Sequence, residues 1–599
     1  MLGVDYIYTN LVRKDLNENR KIYEAKCLHC GKGFKNHRSL RKHLKSCLVI
    51  ENQQTITDFL KSYSAPPVEK MTLTSFQENL IEFFVSINIS IQSVESPVTK
   101  KIFESLGVKK DDIPTAEVFR RMLQCYANKI KEQNLKLFKN KSVYLIIDGT
   151  TSWNQSLYEF AIYYPGVVRH FGLFEINPAD AQNLKNVIDS ICQKLNKLNI
   201  SVIGLTTDNG SNLVAAFKQI EEDAKKRKTN FTLLRFACAA HTAQLLIADL
   251  NRTNLTMIEI SGIISSLLVW MRTKKVRKQL KKNNMNSPPL IQKTRWNSIF
   301  ICCQYIINNY DSIINIIKSF NCTKWQSPIE FDSEIKAKIL ALHKALDPLY
   351  RFTNNVQKNF VSASDVYFHL NKLQIEMSHI SDPYNFATDI FTNIFTRFSE
   401  TCDSTIALLS FILTKEGRNW WRMQKESTDE EIRNLMNSQG TQPSNLLIWF
   451  NTQKKNISKK LDELSSYLNL NSDMVESSFN LWVTFTDRYN ENPIDYWKSN
   501  IITVARDDDG KMIIFQDSAN IAIRILTLPG TEAICERIFS QLKLIHNHLR
   551  NSLKNDILDS ILTIKLKLIW EKNMKLIYDK DEEEEEEEDI NEEEDNQNE

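Results

Sequence analysis

Apolar and β-branched residues crowd into one stretch, Ser142–Trp153 (SVYLIIDGTTSW), where Val143–Ile147 runs unbroken into Asp148. Such a run reads as a buried strand that ends on an acid. The arrangement recurs at Ser201–Asp208 (SVIGLTTD), closed by Asn209-Gly210. Tyr158–Tyr164 and Val167–Ile176 also pattern as strands, with Pro165-Gly166 marking a turn. Ala179–Leu198 predicts a helix, because Leu184, Val187, Ile188, Ile191, Cys192 and Leu195 recur at helical spacing. Val202–Thr206 predicts a fourth strand, Ser211–Lys226 a helix, Leu233–Cys238 a fifth strand, and His241–Leu250 the opening of a third helix.

Helical patterning flanks this block. From Met71 to about Lys139, Ile81, Phe84 and Val85, then Ile87, Ile89 and Ile91, make apolar faces interrupted at Pro97 and Pro114. Asp112 and Thr115 predict helix caps there. Beyond residue 255 strand signals almost vanish. Helices are predicted at Ile258–Leu280, Ile299–Phe320, Ser333–Leu346, Asp365–His379, Ile390–Lys415 and Leu446–Leu468. After Ile521–Leu528 and Pro529-Gly530, the segment Thr531–Ser540 (TEAICERIFS) predicts a helix capped by Thr531. Ile534, Ile538, Leu542 and Ile545 form its apolar stripe, with Phe539 beside it and Glu536 off it. A last helix carries Ile557, Leu558, Ile561, Leu562, Ile564, Leu566, Leu568 and Ile569. That face is wider than one partner covers, which predicts burial between elements or against a second subunit.

The order βββαβαβα matches a ribonuclease-H-like core. In that fold the strand ending at Asp208 lies beside the strand ending at Asp148, so both carboxylates reach one sheet edge. A buried acid is costly unless it is paired or binds a cation. Taken singly, each acid also has a plain structural reading. Asp148 suits an Asp-Gly-Thr turn, Asp208 can cap the following helix, and Glu536 can be a surface glutamate.

Charge sharpens the picture. The chain carries +3, yet Asp579–Glu599 holds 15 acidic residues and one lysine, so its −14 leaves +17 on residues 1–578. A basic body predicts a polyanionic partner, most simply nucleic acid. The acidic tail predicts disorder. Residues 11–47 hold 11 Lys or Arg against 3 Asp or Glu. Within them Cys27, Cys30, His43 and Cys47 have the spacing C-x2-C-x12-H-x3-C, a tetrahedral zinc ligand set. Phe34 and Leu40 stand where such a module needs its small core. A zinc module this basic suits DNA, with protein binding as the alternative use.

Lys274–Lys282 (KKVRKQLKK) reads either as a solvated helix face or as a phosphate-binding or nuclear-import stretch. Arg295-Trp296 offers either a base-stacking pair or a buried tryptophan. No stretch reaches the roughly 20 apolar residues of a membrane span. The 11 cysteines follow no secretory signal and predict reduced thiols plus a metal site, hence an intracellular protein.

Together these segments resemble the transposases of the hAT superfamily (hobo, Ac, Tam3). The basic C-x2-C…H-x3-C module is similar to a BED-type zinc finger. DGTTSWNQ and TTDNGSN resemble the family's two aspartate motifs, Cys238–His241 (CAAH) its CxxH motif, and TRWNS its RW motif. NPIDYW, LPGTEAICERIFS and NHLRNSL resemble its C-terminal dimerisation region. The resemblance implies catalytic, Mg2+- or Mn2+-binding roles for Asp148, Asp208 and Glu536, which follows Asp208 by 328 positions. It places His241, Arg295 and Trp296 near the active site. It implies a BED-type finger at 1–50, a linker at 51–70, a helical intermediate region at 71–140 and the first part of the core at 141–255. An all-α insertion at 256–490, the dimerisation region with the end of the core at 491–575, and the acidic tail at 579–599 complete the division. Gly530 departs from the family, which often has a bulkier residue there. Asp507–Asp509 form a local polar insertion, reading as a hairpin, with three extra carboxylates.

The implied activity is two-metal cut-and-paste transposition in the nucleus: a hydrolytic nick, a flanking hairpin, then strand transfer. The partners are double-stranded DNA, at element ends and target, and a homodimer or higher homo-oligomer, with no membrane and no small-molecule substrate. The alternative is a domesticated or defective hAT-derived zinc-finger protein that binds DNA, dimerises and regulates transcription without catalysis.

Overall fold

The computed structural model describes residues 73–152, 155–227, 233–291, 297–320, 332–358, 360–401, 404–437, 443–484, 492–499, 504–506, 512–546 and 553–572, and three short strands before them. Those three are β1 (Val12–Arg13), β2 (Tyr23–Lys26) and β3 (Gly33–Phe34), an antiparallel sheet in chain order. The proposed zinc ligands Cys27, Cys30, His43 and Cys47 lie outside the described residues, as do Arg295, Trp296, Asp507–Asp509 and the acidic tail.

The central sheet holds β4 (Ser142–Ser152), β5 (Gln155–Tyr164), β6 (Val167–Glu175), β7 (Ser201–Thr207) and β8 (Leu234–Ala237), ordered β6-β5-β4-β7-β8. β4, β5 and β6 pair antiparallel, whereas β7 runs parallel to β4 and to β8. All five strands stand within a few residues of their predicted positions. One prediction needs correction. Asp148 does not end its strand, because pairing with β5 continues from Asp148↔Glu159 to Ser152↔Gln155. Only pairing with β7 stops, at Ile147↔Thr207.

Alternation along β4 separates two cores. Val143, Leu145 and Ile147 pack with the helices Ala181–Lys197 and Ser211–Arg227. Tyr144 and Ile146 face the larger core, shared with the helical remainder of the chain. The helical stretch is cut more finely than its periodicity predicts. Ile258–Leu280 is two helices, Leu255–Met271 and Lys274–Lys282, and Ile299–Phe320 is also two, Asn297–Asn308 and Tyr310–Ser319. Helices at Lys415–Asn437 and Ser472–Thr484 were not predicted. On Lys274–Lys282 only Val276 and Leu280 are buried, and the six basic side chains are exposed. Among the described residues no single helix is long and apolar enough to cross a membrane. A bent pair, Ala239–Thr253 with Leu255–Met271, passes by length and composition only.

The chain returns to the sheet through an aromatic anchor and a short strap. Trp497 is fully buried, its ring 4.9 Å from that of Trp482, and its Nε1 donates to the Leu413 carbonyl. β9 (Val504–Arg506) and β10 (Met512–Ile514) then form an antiparallel hairpin around the predicted polar insertion. Next comes the strap Leu528–Gly530. Ser362 bridges Pro529, Ala363 N donates to Leu528 O, and Gly530 N donates to Val361 O. On the other side Thr206 Oγ1 donates to Pro529 O at 2.6 Å, and Ala239 N to Gly530 O at 3.1 Å. The strap is thus wedged between the Ala363–Ser378 helix and the ends of β7 and β8. A Cβ at Gly530 would come within 2.5 Å of Val366 Cγ2 and 2.7 Å of Ser362 O, so only glycine fits.

The last helix, 555–572, is buried at every position from Ile557 to Leu566, which meets the expectation of burial between elements. Its Asp559 enters a buried polar chain. Asp559 accepts from Lys131 Nζ, from Leu173 N at 2.9 Å and from His170 Nε2 at 3.0 Å. His170 Nδ1 in turn bonds Glu159 at 2.7 Å. Burial alone would lower the His170 pKa, but the Glu159 and Asp559 carboxylates outweigh it and raise it to about 9. His170 is therefore an imidazolium at neutral pH and donates from both nitrogens.

Two outcomes follow from this packing. Gly530→Ala should lose about 1–3 kcal/mol, the usual cost of overpacking, read by urea unfolding. The His170 pKa is raised on folding, so its stabilisation is present below the unfolded value near 6.5 and lost as pH rises through about 9. Between about pH 6 and about pH 10 the wild type should lose on the order of 3 kcal/mol more than His170→Gln, measured by denaturation at each pH.

Candidate functional site

The register decides where the acids meet. Parallel pairing of Ile147 with Thr207 puts Asp148 and Asp208 at the next position on neighbouring strands. Asp148 alternates with Tyr144 and Ile146, so it points to the larger core. Thr206 reaches Pro529 from that same face. The helix Ala533–Ile545 packs there against β4 and β5, with Cys535 Sγ 3.7 Å from Ile146 O. This helix follows the strap and carries Glu536, which is half-buried.

The two aspartates also make the local bonds expected of turns. Gly149 N donates to Asp148 Oδ1 at 2.7 Å and Gly210 N to Asp208 Oδ1 at 3.0 Å. The electrostatics go beyond a turn. Burial, then the charge of Asp208, then Glu536 and Glu159 raise the Asp148 pKa to about 7, against the lowering effect of the Gly149 bond. Asp148 thus feels the charges of Asp208 and Glu536 across the sheet face. Among the described residues no three His, Cys, Asp or Glu side chains close around one point as a ready metal cage. The donor set is nonetheless all carboxylate oxygen, the chemistry of Mg2+ or Mn2+ rather than Zn2+.

Several contributors escape a reading of the sequence. Glu159 sits directly across from Asp148, is fully buried, and has Oε2 without a hydrogen-bond partner. Its signal was a lone acid in the strand LYEFAIYY. Glu532, one turn before Glu536, is buried 3% exposed, with Oε2 also unpartnered. Burial, then Asp148, Asp208 and Glu536, raise its pKa well above the ordinary glutamate range. Its signal was the i, i+4 spacing from Glu536. Arg235 of β8 holds the Asp208 turn, donating to Asp208 O at 2.8 Å and to Thr207 Oγ1 at 3.1 Å.

The predicted cap at Thr531 also needs correction. Glu532 is the N-cap residue and makes no side-chain capping bond, while Thr531 Oγ1 accepts from Ala533 N at 3.1 Å. His241 lies in the first turn of Ala239–Thr253, half-buried. Cys238 before it is buried against Thr531, its Sγ 3.5 Å from Thr531 Oγ1, so it packs the joint between β8 and the strap. Beside Asp208 a cavity of about 250 Å³ opens between Thr150, Thr151, Ser156 and Tyr158 on one side and Ser211 and Asn212 on the other.

No curated protein matches the chain. Residues 463–568 match the family model of the hAT family C-terminal dimerisation region. The matched stretch spans Trp497, the strap, both glutamates and most of helix 555–572. It supports a dimer or higher oligomer formed through this C-terminal region, which is similar to that of the hAT family.

Proposed function

We propose that the chain is a cut-and-paste DNA transposase of the hAT type, acting by divalent-metal-dependent phosphoryl transfer. The observation that carries the reading is the placement of Asp148 and Asp208 at adjacent positions of neighbouring strands, with the helix that carries Glu536 packed against β4 and β5, within a chain that bears the hAT dimerisation region. The β6-β5-β4-β7-β8 order, antiparallel on one side and parallel on the other, supports a ribonuclease-H-like core. Asp148, Asp208 and Glu536 would hold the Mg2+ or Mn2+ ions. Such ions, when bound, activate a water or 3′-hydroxyl and stabilise the leaving oxygen.

The protein's own share is positional. β4 holds Asp148 within a paired strand, and Asp208 stands in the turn directly after the last residue of β7. Arg235 fixes the backbone that carries Asp208. The strap fixes the helix that carries Glu536. Hydroxyls of Thr150, Thr151, Ser156 and Ser211 and the amide of Asn212 line the adjoining cavity and suit contacts to DNA phosphate. The reading extends to a zinc module at Cys27, Cys30, His43 and Cys47 that holds DNA, to Arg295 and Trp296 as accessory residues near the active site, and to the nucleus as the site of action. The exposed basic face of Lys274–Lys282 adds a surface for phosphate.

The test is strand transfer. Purified protein, Mg2+, a labelled duplex carrying the element end and a plasmid target should give joined product. Asp148→Asn should reduce joining by at least about a thousandfold. Binding of DNA without nicking or joining by either protein would favour the non-catalytic DNA-binding dimer. A chain ending at Leu528 should lose both joining and assembly, the latter read by light scattering. Cleavage by that truncated chain would remove Glu536 from the site.

A further inference from the structure

Glu532 is a buried acid that the assigned trio does not use. It occupies the N-cap position of the Ala533–Ile545 helix yet makes no capping bond with its side chain. It is 3% exposed and its Oε2 has no hydrogen-bond partner. Among the described residues the groups that bear most on its charge are the acids Asp148, Asp208 and Glu536 and the thiol of Cys238. Its backbone places it firmly. Glu532 N donates to Cys238 Sγ at 3.5 Å, and Cys238 N donates to Thr207 O at 2.9 Å, immediately before Asp208. Lying four positions before Glu536, it shares that residue's side of the helix.

A carboxylate taken out of water needs a proton or a cation. Replacing an unpaired buried charge by an apolar group of similar size is commonly neutral or stabilising, so packing gives no reason to keep a glutamate here. We propose that Glu532 is a fourth carboxylate of the divalent-cation site, binding Mg2+ or Mn2+ together with Asp148, Asp208 and Glu536. The inference rests on the cation-binding reading of that site and extends its ligand set. Charge gives it a consequence. Three carboxylates leave two divalent ions with one positive charge unmatched, to be met by DNA phosphate. Four match the ions in full. The free protein therefore takes up its cations before DNA arrives.

The test reads cation binding by the full-length protein without DNA. Mn2+ is titrated and the free ion followed by electron paramagnetic resonance, for wild type, Glu532→Gln, Glu532→Met and Asp148→Asn. The expected result is a tenfold or greater loss of Mn2+ affinity in both Glu532 variants, approaching that of Asp148→Asn. Thermal unfolding supplies the second readout. In metal-free buffer Glu532→Met should melt at or above the wild-type temperature, and its rise on adding Mn2+ should shrink. Wild-type affinity in the Glu532 variants, with loss in Asp148→Asn, overturns the inference and leaves the cation site standing. A lower metal-free melting temperature for Glu532→Met, with Mn2+ affinity intact, overturns it in favour of a structural role. Wild type and Asp148→Asn alike in Mn2+ binding would sink the cation reading and this ligand with it.

Discussion

The acidic face of the sheet depends on one contact of three residues, Leu528–Gly530. The chain leaves the sheet after β8 and is seated against the ends of β7 and β8 again here, so part of the entropy of closing a very long loop has to be met by contacts at this point of return. The strap supplies them on both sides. Its amides and carbonyls are shared between Val361 and Ala363 below and Thr206 and Ala239 above. Gly530 removes the side chain that would force these surfaces apart. Its departure from the bulkier residue frequent in the hAT family is thus matched by the close approach of Ser362 and Val366. Because the helix bearing Glu532 and Glu536 starts directly after the strap, the seating of the strap sets where both carboxylates stand.

A second constraint is electrostatic. Burial and the charges of Asp208 and Glu536 make Asp148 and Glu532 costly to ionise on this face. Among the described residues, Glu159 is the one of Asp148, Asp208, Glu159, Glu532 and Glu536 with an ion-pair partner, the imidazolium of His170. That pair runs on through Asp559 to Lys131. Asp559 belongs to helix 555–572, and the hAT dimerisation match extends to residue 568. The matched region therefore does not hang from the sheet as a separate module. It forms one wall of the acidic face, and its last helix is bound to β6 through His170 and the Leu173 amide.

How much of this was legible follows from the physics of each residue. The five strands were readable because apolar runs and period-two alternation are local signals, and Asp148 and Asp208 stood out as acids closing such runs. Their adjacency needed the strand order, which came from a fold pattern rather than from either residue. Glu536 was placed only by resemblance, since its contacts lie 328 positions from Asp208 and no local pattern encodes that distance. Glu532 was written in the same motif and passed over, because the acid that ends an apolar run draws attention and one at a helix start looks like a cap. The breaks after Met271 and Asn308 were missed because apolar spacing continues across them and only the backbone turns. Lys131, Glu159, His170 and Asp559 were hidden for the opposite reason. Each is a polar residue on the buried side of its element, and only the three-dimensional meeting explains why all four are tolerated.

These costs bear on the choice between a catalytic protein and a dimer that only binds. A dimerising scaffold is served by apolar contacts, and apolar substitutes for unpaired buried acids would make its sheet face more stable. The face instead retains Asp148 with its pKa raised to about 7 and Glu532 with an oxygen that nothing in the described fold satisfies. Local destabilisation that packing does not need is the mark of a site kept for chemistry. The same acids that make the sheet expensive to fold are those a pair of divalent cations would neutralise. That neutralisation is what the proposed phosphoryl-transfer reading asks of the face.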